Sequence, residues 1–226
     1  YVNGIEYTLY AILDLLEKNN VSHMVVCFDK SRNTFRKDIY NEYKGNRGEK
    51  PEPLKEQFKT LYSILSILGI PVLVSDTYEA DDLAGTVIEK FKNPFEETYF
   101  LTKDHDWLQL VDDENHVKGL LLETSEDKCL TKRKKDEYLN ENNPFYHDGI
   151  ELPHKVVCYD ECAVIDTEGV CAYQIPDKKG FAGDSADNIP GIYRIGDKTA
   201  CSVIQAFDSM DVFYHCMNQL NTNDKF

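Results

Sequence analysis

Residues 70–92, "IPVLVSDTYEADDLAGTVIEKFK", pass from one periodicity to another across an acidic joint. "IPVLVS" is a short apolar, valine-rich run of the kind that forms a strand buried on both faces. From Glu79 onward the apolar residues recur at helical spacing, which predicts a helix through "EADDLAGTVIEKFK". Strand and helix in alternation predict an α/β fold with a mainly parallel sheet. The joint gathers Glu79, Asp81 and Asp82 within four positions. Like charges that close raise one another's pKa. Either they form an acidic first turn favoured by the helix dipole, or a divalent cation sits there and reverses the local field.

The flanking sequence bears on that choice. "IEYTLYAILDLLEK" (5–18) has helical spacing, and "HMVVCFD" (23–29) reads as a strand ending at Asp29. "PLKEQFKTLYSILSILG" (53–69) is an amphipathic helix stopped by Gly69. "ETYFLTKDHD" (97–106) is a third strand running into Asp104 and Asp106, followed by a short helix "DWLQLV" and a further strand "HVKGLLLET". Ligands of such sheets bind beyond the carboxyl ends of the strands. Three strand ends therefore deliver carboxylates to one rim, a coincidence that scattered solvated acids do not predict.

At 226 residues, with 42% hydrophobic and 29% charged residues, the chain can bury a sizeable core. No run approaches the roughly 18 apolar residues of a membrane span, and no signal peptide is visible. Seven scattered cysteines suit a reducing, intracellular compartment. Cys158, Cys162 and Cys171 with His154 have loose zinc-site spacing, and free buried thiols are the expectation there. The net charge of −15 argues against nucleic acid, but residues 30–59 hold nine Lys or Arg against five acids. A basic strip facing a carboxylate cluster is what metal-assisted chemistry on phosphodiesters needs. Residues 125–160 are polar and aperiodic and read as a surface excursion; its Lys132 to Lys135 run is either solvated or set against a phosphate backbone. In "GFAGDSADNIPGIYRIGDKTACSVIQAF" (180–207), Gly191 and Gly196 bracket a turn that leads into a helix, an arrangement suited to an anion.

Taken together, "FDKSRNTFRKDIYNEYKGNR", "YEADDLAG", "TKDHDWLQLV" and "GDSADNIPGIYRIGDKTA" make the chain resemble the 5′-nuclease family. That family includes the 5′–3′ exonuclease domain of bacterial DNA polymerase I, phage 5′-exonucleases and flap endonucleases, and the bacterial and phage branch matches better. The resemblance implies a PIN-like core over 1–175 with a helical arch at about 30–60, and a helix–three-turn–helix DNA-binding region over 176–226. It implies two or more Mg²⁺ or Mn²⁺ ions on Asp29, Glu79, Asp81, Asp82, Asp104, Asp106, Asp184 and Asp187, a set that needs no nucleophilic side chain. It gives Arg36, Lys44 and Arg47 the scissile phosphate and the 5′ strand, and Tyr43 a terminal base to stack on. In the last turn it gives Gly191, Ile192 and Gly196 backbone amides for the duplex, with Arg194, Lys198 and Thr199 near the phosphate and K⁺ bound in the loop. The implied substrates are DNA with a 5′ flap, nick or single-stranded 5′ end, cut by a monomer that can associate with a DNA polymerase.

Three departures from the family pattern stand out. Arg194 replaces the middle glycine of the turn, and is strained if that position needs positive φ. Lys103 replaces the glycine before Asp104. The family opens on a strand carrying a metal aspartate, whereas this sequence starts at Tyr1, after it, so a piece of a longer protein is expected. A catalytically impaired structure-specific DNA-binding module is the competing reading. A PIN-type ribonuclease is disfavoured by "GDSADNIPG".

Overall fold

The computed structural model describes residues 3–31, 33–122 and 156–223. Helix α1 (Asn3–Lys18) leads to β1 (Val26–Asp29), a short α2 (Phe35–Ile39) and α3 (Glu52–Ile67). Then come β2 (Val72–Ser75), α4 (Ala80–Phe91), β3 (Thr98–Thr102), a 3₁₀ helix (His105–Leu110) and β4 (Val117–Leu122). Later in the chain lie β5 (Val156–Tyr159), α5 (Glu161–Glu168), α6 (Ile175–Ala182), α7 (Asp197–Phe207) and α8 (Met210–Asn223).

The fold is α/β, and its ladders run parallel where β-helix-β connections predict it. β1 pairs with β2, Val26 opposite Val72 and Asp29 opposite Ser75. β3 pairs in parallel with β4, and β4 pairs antiparallel with β5. Among the described residues these are two hydrogen-bonded sheets, with a two-residue ribbon (Gly183–Asp184 against Ile189–Pro190) directly after α6 in the chain. Two apolar clusters hold the layers. Ile12, Leu61 and Leu65 join α1 and α3 over β1 and β2. Ile88, Phe100, Leu108, Val164, Phe181 and Ile204 gather α4, the second sheet and helices α5 to α7.

Of the surface excursion expected at 125–160, residues 125–155 lie outside the described residues, and the strand Val156–Tyr159 corrects the aperiodic reading at its end. Its "VVCY" is apolar enough to pair with the buried β4. Lys132 to Lys135 and His154 lie outside the described residues; Cys158, Cys162 and Cys171 form no disulfide among the described residues, and they are not the buried thiols expected, since Cys162 is exposed and the other two are half-buried. No described helix is long and apolar enough to cross a membrane.

The strand ends set the rim. Asp29 closes β1, Glu79 is the N-cap of α4, and Asp104 is the N-cap of the 3₁₀ helix, its side chain accepting from the Asp106 amide. Asp29 is tied to the start of α4, where the Ala80 amide donates to Oδ1 at 2.7 Å.

Candidate metal centre and nucleic-acid interface

The rim carboxylates divide into two classes according to which cation answers them. Asp82 accepts both Arg36 guanidinium nitrogens, at 2.6 and 2.8 Å, and this fork holds its pKa below the ordinary carboxylate range against the opposing effect of burial. Glu79 is 6% exposed and accepts from Thr34, Tyr43 and Lys44, the last at 2.7 Å. Burial pushes Glu79 up, but the Lys44 ammonium and the Tyr43 hydroxyl outweigh it, and its pKa stays low. Asp184 is likewise held low by Lys179 and by the Ala186 and Asp187 amides, against burial. Asp187 pairs with Arg47 at 2.5 Å.

Asp81 is different. Its Oδ1 accepts from Trp107 Nε1 at 2.7 Å, yet no lysine or arginine of the described residues pairs with it. Burial raises its pKa, and the Asp104 and Asp29 charges raise it further. Asp106, though clamped by Lys179, is also raised, first by burial and then by Asp104 and Asp184. Among the described residues, Asp29, Asp81 and Asp104 are thus the rim carboxylates that no lysine or arginine pairs with. As placed, no three His, Cys, Asp or Glu side chains among the described residues stand ready to hold an ion. The donor set nevertheless fits a divalent ion: it is all carboxylate oxygen, the chemistry of a hard cation, brought together from the end of β1, the first turn of α4 and the cap of the 3₁₀ helix.

The basic segment folds down onto the rim. Of the arch expected at about 30–60, Phe35–Ile39 and the first turns of α3 from Glu52 are helical, and residues 41–46 between them run as turns latched to the loop after Asp184. Lys44, in the left-handed region at φ 52°, donates its amide to the Asp187 carbonyl at 2.9 Å. Asn46 donates to the Ser185 carbonyl, and Asn188, at φ 61°, donates to that of Glu42. Tyr43 is 5% exposed with its hydroxyl toward Glu79 and Asp187, so this arrangement does not present its ring to a base. The pull of Glu79 and Asp187 on the adjoining Lys44 accounts for that burial.

The last turn is built on a backbone crossing. A Cβ on Gly191 would stand 2.1 Å from the Ala182 carbonyl oxygen, and Gly183, at φ 79°, packs as tightly against Gly191. The Ile192 amide already donates to the Phe181 carbonyl at 2.9 Å, which corrects its expected role as a phosphate donor. Gly196 caps α7 at φ −95°, where a Cβ would meet open space, so the fold does not require glycine there. Arg194 does adopt positive φ, 64°, with its guanidinium 5.1 Å from the centre of the Tyr193 ring, and Tyr193 is 82% exposed. Neither Arg194 nor Lys198 has an acidic partner among the described residues, whereas most rim cations are paired; Lys198 and Thr199 lie exposed in the first turn of α7.

Two partners escaped sequence reasoning. Lys179, which clamps Asp106 and Asp184, sits five residues before Asp184, and the paired lysines of "DKKG" were its signal. Trp107, the single tryptophan, follows Asp106 directly, but its hydrogen bond to Asp81 spans 26 positions and has no local signature.

Comparison with known proteins agrees with this architecture. Residues 1–141 match the family described as 5′-3′ exonuclease, N-terminal resolvase-like domain, and residues 170–225 match 5′-3′ exonuclease, C-terminal SAM fold. The chain is similar to DNA polymerase I of Caldicellulosiruptor bescii, 32% identical over 98% of this chain and 23% of that protein. It is similar to the 5′-3′ exonuclease of Buchnera aphidicola, 31% identical over 94% of this chain and 61% of the other. The chain therefore spans under two thirds of either relative. Among solved structures, the T5 D15 protein co-crystallised with metal ions superposes with a TM-score of 0.67 at 21% identity, over 92% of this chain and 70% of that one. A second structure, the bacteriophage T5 D15 flap endonuclease (D155K) in a pseudo-enzyme-product complex with DNA and metal ions, gives 0.66 at 20% identity, over 92% and 69%.

Proposed function

This chain belongs to the 5′–3′ exonuclease family, and on that premise we propose that it is a divalent-metal-dependent 5′–3′ exonuclease and flap endonuclease acting on DNA with a 5′ flap, nick or single-stranded 5′ end. The observation that carries this reading is Asp81, half-buried, crowded by the charges of Asp104 and Asp29, and paired with no lysine or arginine among the described residues. Mg²⁺ or Mn²⁺, two or more ions, would neutralise the phosphate and activate a water. Asp29, Asp81 and Asp104 would hold one ion. Asp106, Asp184 and Asp187 would serve another on leaving Lys179 and Arg47, and Glu79 and Asp82 are available once Lys44 and Arg36 turn away.

The clamping cations have a second use. Arg36, Lys44, Arg47 and Lys179 keep the carboxylates neutralised and in place, and a phosphodiester entering the rim competes for the same charges. Arg36 offers two parallel donors, the geometry suited to two phosphate oxygens. Arg194, Lys198 and Thr199 at the last turn would hold the duplex beyond the branch, with K⁺ at that turn as a further cation. Polymerase association belongs to the same reading, because relatives carry this region within DNA polymerase I. The test is cleavage of a 5′-labelled flap duplex in Mg²⁺, with the 5′ end free or blocked by a bulky tag. Short products from the free end only are expected. A flap that is bound but never cut would favour the binding-module reading.

A further inference from the structure

Two neighbouring pairs of residues face opposite ways in this fold. In the 3₁₀ helix, Asp106 reaches the rim and the half-exposed His105 turns to Glu168, Nδ1 to Oε1 at 3.5 Å. In α6, Lys179 reaches the rim, where it meets Asp106, and Lys178 reaches inward to the same Glu168, Nζ to Oε2 at 2.5 Å. The rim contact and the interior contact thus clamp the same two segments from two sides. Lys178 is 4% exposed and Glu168 15%, so that pair is shielded from water, whereas the His105 ring at its edge is 42% exposed. Lys178 also donates to the Glu168 carbonyl at 3.2 Å, a favourable place for a cation at the end of α5.

The interior cluster reaches the last turn as well. Lys178 lies 3.4 Å from Asp197 in the first turn of α7. Cys201 Sγ contacts the Glu168 carbonyl at 3.4 Å, and Gln205 donates to the Gly169 carbonyl at 2.7 Å. His105 is steadied on its other side by an edge contact with the buried Tyr159.

We propose that Glu168 and Lys178 are positioning residues: through His105 they fix the segment bearing Asp104 and Asp106, and through Asp197 they hold it at a set distance from the DNA-facing turn of α7. The inference rests on the metal-centre reading of the rim. The attraction of a pair shielded from water is screened less than that of a surface pair, which suits it to the task. Groups that orient metal ligands from behind typically change metal affinity or activity by about 10- to 100-fold when removed.

The test compares the parent protein with Glu168→Leu/Lys178→Met, in which an apolar pair replaces the charges and removes the burial cost of both. Two further proteins, His105→Ala and His105→Asn, leave the buried pair intact. The asparagine amide can replace the Nδ1 contact. Each protein is followed by thermal unfolding, by amide hydrogen exchange at residues 104–110 without metal, and by single-turnover flap cleavage in Mg²⁺. The double variant should unfold near the parent temperature, yet exchange at 104–110 about 10-fold faster and cleave about 10-fold more slowly at unchanged flap affinity. His105→Ala should act in the same direction and His105→Asn should recover most of the loss. Parental exchange in both the double variant and His105→Ala overturns the proposal. Should the double variant fail to fold, the alanine and asparagine pair decides alone. If no protein cuts, the exchange result still decides the positioning role, and only the nuclease reading falls.

Discussion

Lys178→Met should cost the protein about 3 kcal/mol at neutral pH, and two routes lead to that figure. Breaking a shielded ion pair by removing one partner typically costs about 3–5 kcal/mol, because the remaining charge stays buried. The second route is the carboxyl itself. Burial pushes Glu168 up, but His105 and the Lys178 ammonium outweigh it and bring it from 4.5 to about 2. That difference is worth about 3 kcal/mol, of which His105 supplies a part. A depressed carboxyl pKa contributes stability that is complete above the unfolded value of 4.5 and is lost as pH falls toward 2. Lys178 is raised above 10.5, since Glu168 outweighs burial, so its contribution is complete below 10.5 and lost as pH rises through the folded value. The gap between parent and variant should therefore be widest between those limits and close toward acid. For a domain of this size about 3 kcal/mol corresponds to a fall in Tm of about 6–12 °C. Thermal unfolding by circular dichroism from pH 3 to 9 reads it, and other carboxylates cancel because they titrate in both proteins. A gap below about 2 °C at pH 7, or one equally wide at pH 3, would refute the reasoning.

Asp81→Asn keeps an acceptor for Trp107 and removes a charge that Asp104 and Asp29 oppose. Burial and those charges raise the folded pKa of Asp81, so the variant should gain stability at pH 7 without metal, a gain that shrinks as pH falls through the raised folded value and is gone below 3.8. The same variant should lose both cleavage and the Mg²⁺-induced rise in Tm of the parent, and a variant that still cuts removes Asp81 from the centre. Gly191→Ala drives a methyl into the Ala182 carbonyl and should lower stability by about 1–3 kcal/mol while weakening duplex binding; melting and fluorescence anisotropy check both, and parental values would discredit the crossing. Arg194→Gly relieves a left-handed residue worth about 1–2 kcal/mol, less what glycine adds to the freedom of the unfolded chain. It should hold or raise Tm while duplex affinity drops and its salt slope shallows by about one, whereas unaltered affinity would leave the strain without a use.

Much of this was legible because short-range rules decide it. β1 ends at Asp29, α4 begins just after Glu79 and α7 spans Asp197–Phe207, where apolar runs, an acidic cap and a glycine turn locate them. The conditional strain at Arg194 followed from one missing glycine. What stayed hidden depends on partners distant in sequence. β5 carries four residues beside a polar stretch and is a strand because β4 offers an open ladder. Tyr43 reads as an exposed aromatic in a basic segment, and Glu79, 36 positions away, pulls its hydroxyl inside. Lys178 would be placed on the surface by its residue type alone, and Glu168, ten positions back, makes its burial possible. The rim was readable as a set of acids, but not which of them the protein neutralises itself.

That last distinction carries the central claim, and the Mg²⁺ dependence of flap cleavage tests it most directly. Single-turnover cleavage of a 5′ flap duplex would be measured from EDTA to saturating Mg²⁺, and again in Mn²⁺. The account predicts no cutting in EDTA, a rise with Mg²⁺ steeper than one ion allows, and recovery in Mn²⁺. Cleavage that persists in EDTA, or a flap that stays intact at every metal concentration, would contradict it.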